Sequence, residues 1–520
     1  MVMKTHLRQL GRFALAAVVL GTPAPNSPLL ADETADQIAA LRHQIEALTE
    51  KVIALEKQAK AGTSSQLPAI SSGTNGVPLA PAEPRMEELH QKVRILERNR
   101  ELDREAAAEK SKQAARVSLG GNGLMVTSAD SNFVFKVRGY VQADSRLFAD
   151  DYAGGTINDT FLIRRARPIL EGTLYEKYDF RVMTDFATGL ASSTSNNGLL
   201  QDAYVNARFL PEFQVQAGKF KEPVGLERLQ SGANLLFVER GYPTQLVPNR
   251  DVGLQIQGDL FDDRLRYEAG VFNGVADGAS GDTDASDDEK DVVGRLFARP
   301  FNESGADALR GLGFGVAGTY GNQEGSGLIS KYKSPGQQQF FAYRTGDGTA
   351  AKPNVVADGA HWRVTPQGYY YWGPFGLFGE YVISNQRLRR DAGGPTFARI
   401  QNSAWQVAFS YTLTGEENSW KSLTPKKPFN PTQGGWGAWQ AAVRFGQFDV
   451  DDQIFSPGLN LADSATSASG ATSWAVGLNW FLNKNVKVNF DYEQTDFQGG
   501  SSPFLNKGEK VFFTRAQVSF

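Results

Sequence analysis

Hydrophobic and polar residues alternate with a period of two along most of the chain from Phe133 onward. This is the period of a β-strand with one apolar and one polar face. In the first such segment the two faces are Phe135, Val137, Gly139, Val141 and Ala143, and opposite them Lys136, Arg138, Gln142, Asp144 and Arg146. The pattern predicts about 16 strands, which begin near residues 133, 160, 178, 200, 212, 251, 264, 291, 312, 361, 375, 402, 435, 473, 485 and 509.

The connections between these segments mostly alternate between short and long. The sequences YEKY, LPE, FDD, WGP and NKN are tight turns, and most of the remaining connections are long and polar. Only 300–311 and 414–434 are long where a short connection is expected. Such alternation puts the turns at one rim and the loops at the other, as in an even-stranded antiparallel transmembrane barrel. A soluble β-sandwich or adhesin is the alternative that the pattern leaves open.

The region before the strands is predicted to be helical and exported. Lys4, Arg8 and Arg12 precede a short apolar core, which is typical of a secretory signal peptide over residues 1–31. Apolar residues in steps of three and four then predict a coiled-coil helix over 32–60. A Gly/Ser/Pro-rich linker (61–84) and a second helix (85–116) follow, and the barrel is assigned to 117–520. Because the second helix leads directly into the turn side of the first strand, we expect the coiled coil to lie in the periplasm.

Composition excludes several kinds of function. The net charge of −3 argues against a general nucleic-acid binder, and the absence of cysteine excludes disulfides and thiolate metal sites. The chain has 4 histidines, of which only His361 lies in the barrel, so no zinc site or catalytic triad is expected. The run GFGVAG (313–318) is followed by no helix pattern and is interpreted as small residues in a strand. We therefore predict no enzyme activity, no metal and no cofactor.

The segment FLIRRARPILEGTLYEKYDF (161–180) places arginines in the middle of an apolar strand. Period two puts Arg165 and Arg167 on the polar face and Leu162 and Leu170 on the other. One Arg or Lys facing lipid near the bilayer midplane costs about 2–4 kcal/mol, whereas a wet lumen avoids this cost. Barrels of this size are wide enough for water, so the basic faces are predicted to line a pore. The other basic residues assigned to these faces include Lys136, Arg138, Arg146, Arg181, Arg264, Arg266, Arg295 and Arg299.

Several longer motifs resemble the phosphate-selective porin O/P family of bacterial outer-membrane channels. LIRRARPILEGTLYEKYDFRVMTDFA, QAGKFKEPVGLERL and FVERGYPTQLVPNRDVGLQIQG are similar to its N-terminal half, and GGWGAWQAAVRF and VGLNWFLNKNVKVNF to its C-terminal half. The final RAQVSF, with its terminal aromatic residue, resembles the end of outer-membrane barrels in general. The resemblance implies an outer-membrane homotrimer, in contact with lipid and lipopolysaccharide, whose arginine-rich lumen passes phosphate, polyphosphate or other small anions.

The resemblance also implies roles for individual residues. A long loop after GKFKEP would fold into the lumen, here 221–250, and it carries Lys221, Arg228, Arg240 and Arg250. Arg164 and Arg165 match a pair of arginines in the family's ladder of lumen arginines. Since period two puts Arg164 on the apolar side, we predict that it lies at a strand end or a bulge. Lysines on inward loops are also implied, and the candidates are Lys331, Lys333 and Lys352.

Two other functions remain compatible with the sequence. Carboxylates on the polar faces, among them Asp144, Asp185 and Asp202, would suit a non-selective or cation-preferring pore. The coiled coil would suit an envelope tether. The acidic run DTDASDDEKD (282–291) is interpreted as a solvated loop, with divalent-cation binding as its alternative.

Overall fold

The computed structural model describes residues 83–150, 157–189, 199–281, 287–302 and 307–520. The predicted signal peptide and the first coiled-coil helix lie outside these residues, as do nearly all of the linker (61–84) and half of the acidic run (282–286). A helix, α1, spans Glu83–Gln113, where the sequence predicts a second helix. Among the described helices, none is both long enough and apolar enough to cross a bilayer.

Sixteen of the described strands form a closed antiparallel barrel. Each strand pairs with its neighbours in chain order, and the ring closes where Gln517 of the last strand lies opposite Gln142 of the first. The prediction of a 16-stranded barrel is therefore confirmed. The barrel strands are β3 (Phe133–Phe148), β4 (Thr160–Leu174), β5 (Tyr178–Thr184), β6 (Leu200–Leu210), β7 (Phe213–Lys221), β8 (Arg250–Leu260), β9 (Leu265–Phe272), β10 (Asp291–Ala298), β11 (Leu312–Gly325), β14 (Asn354–Trp372), β15 (Phe375–Asp391), β16 (Pro395–Thr412), β17 (Ala438–Asp449), β18 (Gly470–Phe481), β19 (Val486–Gln498) and β20 (Glu509–Ser519). GFGVAG lies within β11, as the strand interpretation predicted.

The alternating pattern arises because the two faces of the wall meet different surroundings. The outer face carries exposed apolar residues, among them Val141, Ile163, Val205, Leu254, Leu296, Phe445, Trp474, Phe512 and Val518. The lumen face carries buried polar residues, among them Gln142, Asp144, Arg165, Gln255, Arg363, Gln406, Arg444 and Arg515. At the rim with the short turns, Trp439 and Trp480 stack with ring centroids 5.0 Å apart. Aromatic residues at this level are typical of the girdle where a barrel meets the membrane interface.

A short hairpin precedes the barrel and was not predicted. Its strands β1 (Arg116–Gly120) and β2 (Gly123–Thr127) are antiparallel, and β2 pairs with β3 from Val134 to Val137. β20 pairs with the same edge of β3 farther along, from Tyr140 to Phe148. Gly123 has φ +89°, and a side-chain Cβ there would lie 2.2 Å from the Val137 carbonyl oxygen. The strands are too short and too rich in glycine for a period to be recognised in the sequence.

The loop rim of the barrel is partly filled by an apolar cluster. A second short hairpin, with strands β12 (Lys331–Lys333) and β13 (Gln339–Ala342), folds inside the wall; we call residues 331–342 the inward hairpin. Its Tyr332 and Phe340 are almost fully buried, and each packs against Phe448 of β17 with ring centroids 4.6 and 5.5 Å apart. Short helices α2 (Phe186–Gly189), α3 (Leu226–Leu229) and α4 (Pro503–Lys507) lie in other loops. The lumen is thus narrower at this rim than its strand number alone would make it.

Candidate functional site in the lumen

The connection between β7 and β8 crosses the lumen, as the resemblance implied; we call residues 222–249 the inward loop. Wall side chains from most sides of the barrel hold its backbone, and six strands provide the contacts given next. The contacts are Gln142 Nε2 to Gly232 O (2.8 Å), Gln367 Nε2 to Val224 O (2.7 Å), Asn479 Nδ2 to Leu236 O (2.9 Å), Arg444 Nη1 to Glu239 O (2.8 Å), Arg515 Nη1 to Val238 O (2.6 Å) and Val238 N to Asp491 Oδ2 (2.5 Å). Because buried backbone groups need hydrogen-bond partners, these wall residues fix the path of the loop.

Arg164 reaches the lumen through a β-bulge. Between β3 and β4, Gln142 lies opposite Arg165 and the next residue, Ala143, lies opposite Ile163, so Arg164 is the extra residue. Because a bulge inserts one residue into the strand, the side chain of that residue can point to the face opposite the one that strict alternation would give it. Arg164 Nε and Nη2 donate to the two carboxylate oxygens of Glu239 in the inward loop at 2.5 and 3.1 Å. The predicted bulge is confirmed.

Arg165 and Arg167 both face inward but have different partners. Arg165 is 3% exposed, and its Nη1 donates to the neutral side-chain oxygen of Gln142 at 2.7 Å. Within the part of the chain that the structure describes, it forms no ion pair. Arg167 Nε donates to Asp185 at 2.7 Å, and its Nη1 donates to the hydroxyl of Tyr140 at 3.0 Å. The positive charge of Arg165 is therefore much less compensated than that of Arg167.

Three further cations, two of them in the inward loop itself, have only carbonyl oxygens as hydrogen-bond partners within the described ranges. Arg240 donates to the carbonyls of Glu227 and Gln230 at 3.1 and 2.8 Å, and Arg228 donates to the carbonyl of Thr244. Lys221 Nζ, at the end of β7, donates to the carbonyls of Leu229 and Gln230 at 3.2 and 2.8 Å. Burial, together with neighbouring arginines, lowers the pKa of Arg228 to about 9. This value still leaves the guanidinium charged at neutral pH.

These cations line two cavities on either side of the inward loop. The outer cavity, on the side of the loop rim, has a volume of about 380 Å³. Its charged lining residues are Arg164, Arg165, Arg228, Arg240, Lys331, Lys333, Glu239 and Asp277. The central cavity, about 270 Å³, is lined by Arg167, Arg181, Lys221, Arg250, Asp202 and Glu268. Lys331 and Lys333 enter the outer cavity because the inward hairpin carries them there, whereas exposed Lys352 lines neither cavity.

Most of the other predicted pathway residues also face the lumen. Lys136 and Arg138 line a third cavity of about 770 Å³ near the turn rim, which we call the turn-side cavity. All but Lys136 have a carboxylate partner: Arg138 with Glu171 (2.7 Å), Arg146 with Glu239 (3.2 Å), Arg181 with Asp202 (3.1 Å), Arg250 with Asp202 (2.7 Å) and Arg266 with Asp259 (2.9 Å). Their attraction for a passing anion is correspondingly reduced.

The placement of Arg264 on a lumen-facing strand is wrong. Phe261, Asp262 and Asp263 all have φ between 57° and 63°, which ends β8 and forms the turn before β9. Arg264 is the last residue of that turn and is exposed. The sequence predicts a tight turn at FDD, and the error concerns only where this turn ends, since β9 begins at Leu265 and not at Arg264.

Glu239 is a central residue of the lumen that was not predicted from the sequence. It is 3% exposed, binds Arg164 and Arg146, and lies 3.6 Å from Arg515. Burial alone would raise the pKa of the Glu239 carboxyl, but the neighbouring charges of Arg164 and Arg165 hold this pKa well below its usual range. Glu239 therefore places one negative charge among the arginines. Its position between aromatic and basic residues in FVERGY was the only local signal.

His361 does not form a catalytic triad with its buried neighbours. Its Nε2 lies 2.9 Å from Ser384 Oγ and 3.3 Å from Asp277 Oδ1, and its Nδ1 lies 2.7 Å from Gln323 Oε1. In a triad the hydroxyl and the carboxylate bind opposite ring nitrogens. Here both bind the same nitrogen, and the cluster ties the 273–281 loop to the wall.

Comparison with known proteins agrees with this architecture. The family model described as phosphate-selective porin O and P matches residues 135–520, which is most of the chain. The chain belongs to this family. It is also 26% identical to porin O of Pseudomonas aeruginosa over 421 residues, which cover 76% of this chain and 91% of that protein. The protein is therefore an outer-membrane porin.

Solved structures of outer-membrane proteins are also similar. The outer-membrane channel DcaP of Acinetobacter baumannii has a TM-score of 0.46 and 13% identity, over 75% of this chain and 98% of that one. OmpT of Vibrio cholerae, in a trimer form, has a TM-score of 0.44 and 12% identity, over 75% and 99%. The anion-selective porin from Comamonas acidovorans has a TM-score of 0.43 and 11% identity, over 75% and 100%.

Proposed function

We propose that this porin is a passive channel that prefers small anions, with inorganic phosphate among them. The observation that carries the proposal is a group of cations that have no carboxylate partner among the described residues: Arg165, which is buried, and Lys221, Arg228 and Arg240, which are half-buried. They lie on both sides of the inward loop, where the lumen is narrowed. An anion that passes the loop meets positive charge before and after the crossing.

The balance of charges favours anions over cations. The outer cavity has six cationic lining residues against two carboxylates, Glu239 and Asp277. Two unit charges about 4 Å apart interact by roughly 4 kcal/mol at an effective dielectric constant near 20, and by about 1 kcal/mol in bulk water. The carboxylates that favoured a non-selective pore in the sequence, such as Asp144 and Asp202, are instead bound to arginines. They add little negative potential to the lumen.

The reversal potential in a potassium chloride gradient tests this proposal. We expect purified channels in a planar bilayer to show a reversal potential displaced toward the chloride equilibrium potential. The displacement should shrink as the salt concentration rises on both sides, because screening shortens the range of the lumen charges. A potential near zero, or one displaced toward potassium, would contradict an anion channel.

Phosphate recognition is proposed to depend on the inward hairpin. Lys331 and Lys333 are exposed in the outer cavity, so their replacement by glutamine should leave the fold intact. At about 0.2–1 kcal/mol for each exposed charge pair, we expect phosphate to block the chloride current about twofold to thirtyfold more weakly in the double variant. The measurement is the phosphate concentration that halves the chloride current.

The matched control for these lysines is Lys352→Gln. Lys352 belongs to the same connection between β11 and β14 but lies outside the outer cavity. Block by phosphate should be unchanged in this variant. Equal weakening by Lys352→Gln would show that only the net charge of the loop matters. Equal block of the wild-type channel by phosphate and sulfate would contradict a preference for phosphate over other oxyanions.

We also propose that the porin is a homotrimer with α1 on the periplasmic side. The first part is supported by membership of the porin O and P family, to which the resemblance in the sequence had assigned a homotrimer. Chain order supports the second part. Helix α1 is followed within a few residues by β1, and β1 pairs with β2. Strand β2 in turn pairs with the end of β3 that lies at the turn rim. Val93, Ile95 and Leu96 of α1 are exposed, so this helix has apolar surface for association with other copies or an envelope partner.

A further inference from the structure

A fourth cavity in the lumen differs in chemistry from the three described above. It lies between helix α3 of the inward loop and the turn rim, and its volume is about 470 Å³. This is within the range of about 300–1,000 Å³ that small-molecule sites occupy. Its lining combines aliphatic and aromatic side chains with three arginines (Arg266, Arg295 and Arg299) and two carboxylates (Asp259 and Glu268), and we call it the aromatic cavity. The residues used below are Leu226, Leu229, Phe297, Arg299, Tyr369 and Trp420.

The aromatic wall of this cavity is built by a connection that breaks the pattern of short turns. Residues 413–437 link β16 to β17 at the turn rim, and they fold back into the barrel. The Trp420 carbonyl accepts a hydrogen bond from Gln230 Nε2 of the inward loop at 2.9 Å. The indole stacks on Tyr369 at 5.5 Å with an interplanar angle of 21°, and it meets Phe378 edge-on at 5.8 Å. The unusual length of this connection thus serves to place an aromatic side chain in the lumen.

Arginines supply the opposite side of the cavity. Arg295 lies over the ring of Phe297 at 4.6 Å and binds Glu268 at 2.7 Å, so its charge is compensated. Arg299 is farther from a carboxylate, since its nearest ion-pair partner is Asp259 at 3.9 Å. Its side chain is 32% exposed. Arg299 is therefore the guanidinium best able to bind an anion that enters the cavity.

We propose that the aromatic cavity binds organic anions with a flat apolar body, such as aromatic carboxylates. This inference rests on the proposed anion channel and names a class of substrate for it. A carboxylate would pair with Arg299, and its ring would lie against Trp420 and Tyr369 below the aliphatic side chains of Leu226 and Leu229. Inorganic phosphate gains nothing from aromatic and aliphatic surface, because it is strongly hydrated and has no apolar part. The aromatic cavity thus serves a different ligand from the outer cavity.

The test compares benzoate with acetate as blockers of the chloride current through the whole porin in a planar bilayer. A favourable aromatic contact corresponds to an affinity gain of about twofold to tenfold. We therefore expect benzoate to halve the current at a concentration lower than that of acetate by this factor. Equal half-blocking concentrations in the wild-type channel would overturn the proposal. Block by benzyl alcohol at the benzoate concentration would also overturn it, because an uncharged aromatic compound would then suffice.

Two variants locate the binding within the cavity. Trp420→Leu removes the flat ring, and Arg299→Gln removes the charge; each should abolish most of the difference between benzoate and acetate. Trp474→Leu on the outer face and Arg310→Gln, outside the cavity lining, are the matched controls and should preserve it. Benzoate block that survives both cavity variants would overturn the assignment. The reversal potential in potassium chloride reports anion preference independently, so a failure of the proposed channel function is distinguishable from a failure of this site.

Discussion

Channels carrying Arg165→Gln and Arg228→Gln together are expected to lose most of their preference for anions. Both guanidinium groups line the outer cavity and, among the described residues, donate hydrogen bonds only to uncharged oxygens, so their positive charge is less compensated than that of an ion-paired arginine. An anion close to one such charge gains about 1–4 kcal/mol, depending on how well water screens the pair. Since 1.4 kcal/mol is a factor of ten, we expect the anion-to-cation permeability ratio to fall about tenfold or more. The measurement is the reversal potential in a potassium chloride gradient.

The control for this double variant removes two arginines that are exposed and ion-paired. Arg208 binds Asp179 at 2.7 Å and Arg310 binds Asp307 at 2.8 Å, and neither arginine lines the cavities beside the inward loop. This control lowers the net charge of the porin by two, as Arg165→Gln with Arg228→Gln does. If Arg208→Gln with Arg310→Gln shifted the reversal potential as far as the lumen variant, selectivity would depend on the overall charge of the porin and not on Arg165 and Arg228.

A large loss of stability is expected from Asp144→Asn. Asp144 on β3 receives two hydrogen bonds of 2.7 Å from Arg515 on β20, and both side chains are at most 1% exposed. Arg515 also donates to the carbonyl of Val238, so the pair joins the closing strand, the first strand and the inward loop. Removing one partner of a buried pair costs about 3–5 kcal/mol, and here Arg515 would stay buried with only the more distant Glu239, at 3.6 Å, as an ion-pair partner among the described residues. Unfolding of the detergent-solubilised barrel by urea, followed by circular dichroism, measures this loss.

Asp179→Asn is the matched substitution at an exposed pair. Asp179 binds Arg208 at 2.7 Å, but their side chains are 30% and 43% exposed. Exposed pairs contribute about 0–1 kcal/mol to stability, so this variant should unfold almost like the wild type. Similar urea midpoints for Asp144→Asn and Asp179→Asn would show that Arg515 finds other partners or water in the lumen.

The strands of the wall could be predicted because lipid and water impose opposite demands on their two faces. Residues such as Val141 and Ile163 face lipid, whereas Gln142 and Arg165 face the lumen. The alternation of apolar and polar residues in the sequence therefore follows the alternation of the two environments along each strand. The rule fails where the backbone departs from regular extension. The bulge at Arg164 needed the family resemblance as well as parity. The turn at FDD was predicted, but the sequence did not show that it continues through Arg264.

The interior of the lumen was harder to predict because its contacts join residues far apart in the chain. Glu239 meets Arg164 only after the inward loop has crossed the barrel, and no local pattern encodes that path. The inward hairpin was likewise assigned to a polar loop. Its aromatic residues, Tyr332, Phe340 and Phe341, were the available signal, since three bulky rings in an exposed loop would be unfavourable. Aromatic density in a long connection of a barrel sequence thus indicates a segment that turns inward.

The seam between β20 and β3 has a consequence for the order in which the barrel assembles. Every other pair of wall neighbours is adjacent in the chain, but this pair joins strands more than 350 residues apart, as in the hydrogen bond between Arg515 and Asp144. Contacts at such separation form late because closing a long loop is entropically costly. Meanwhile the free edge of β3 could pair with another chain. The β1–β2 hairpin, being local, can cover Val134–Val137 early and leave only Tyr140–Phe148 for the closing strand. The paired amides of Gly139 and Phe520 mark the point where these two partners of β3 meet.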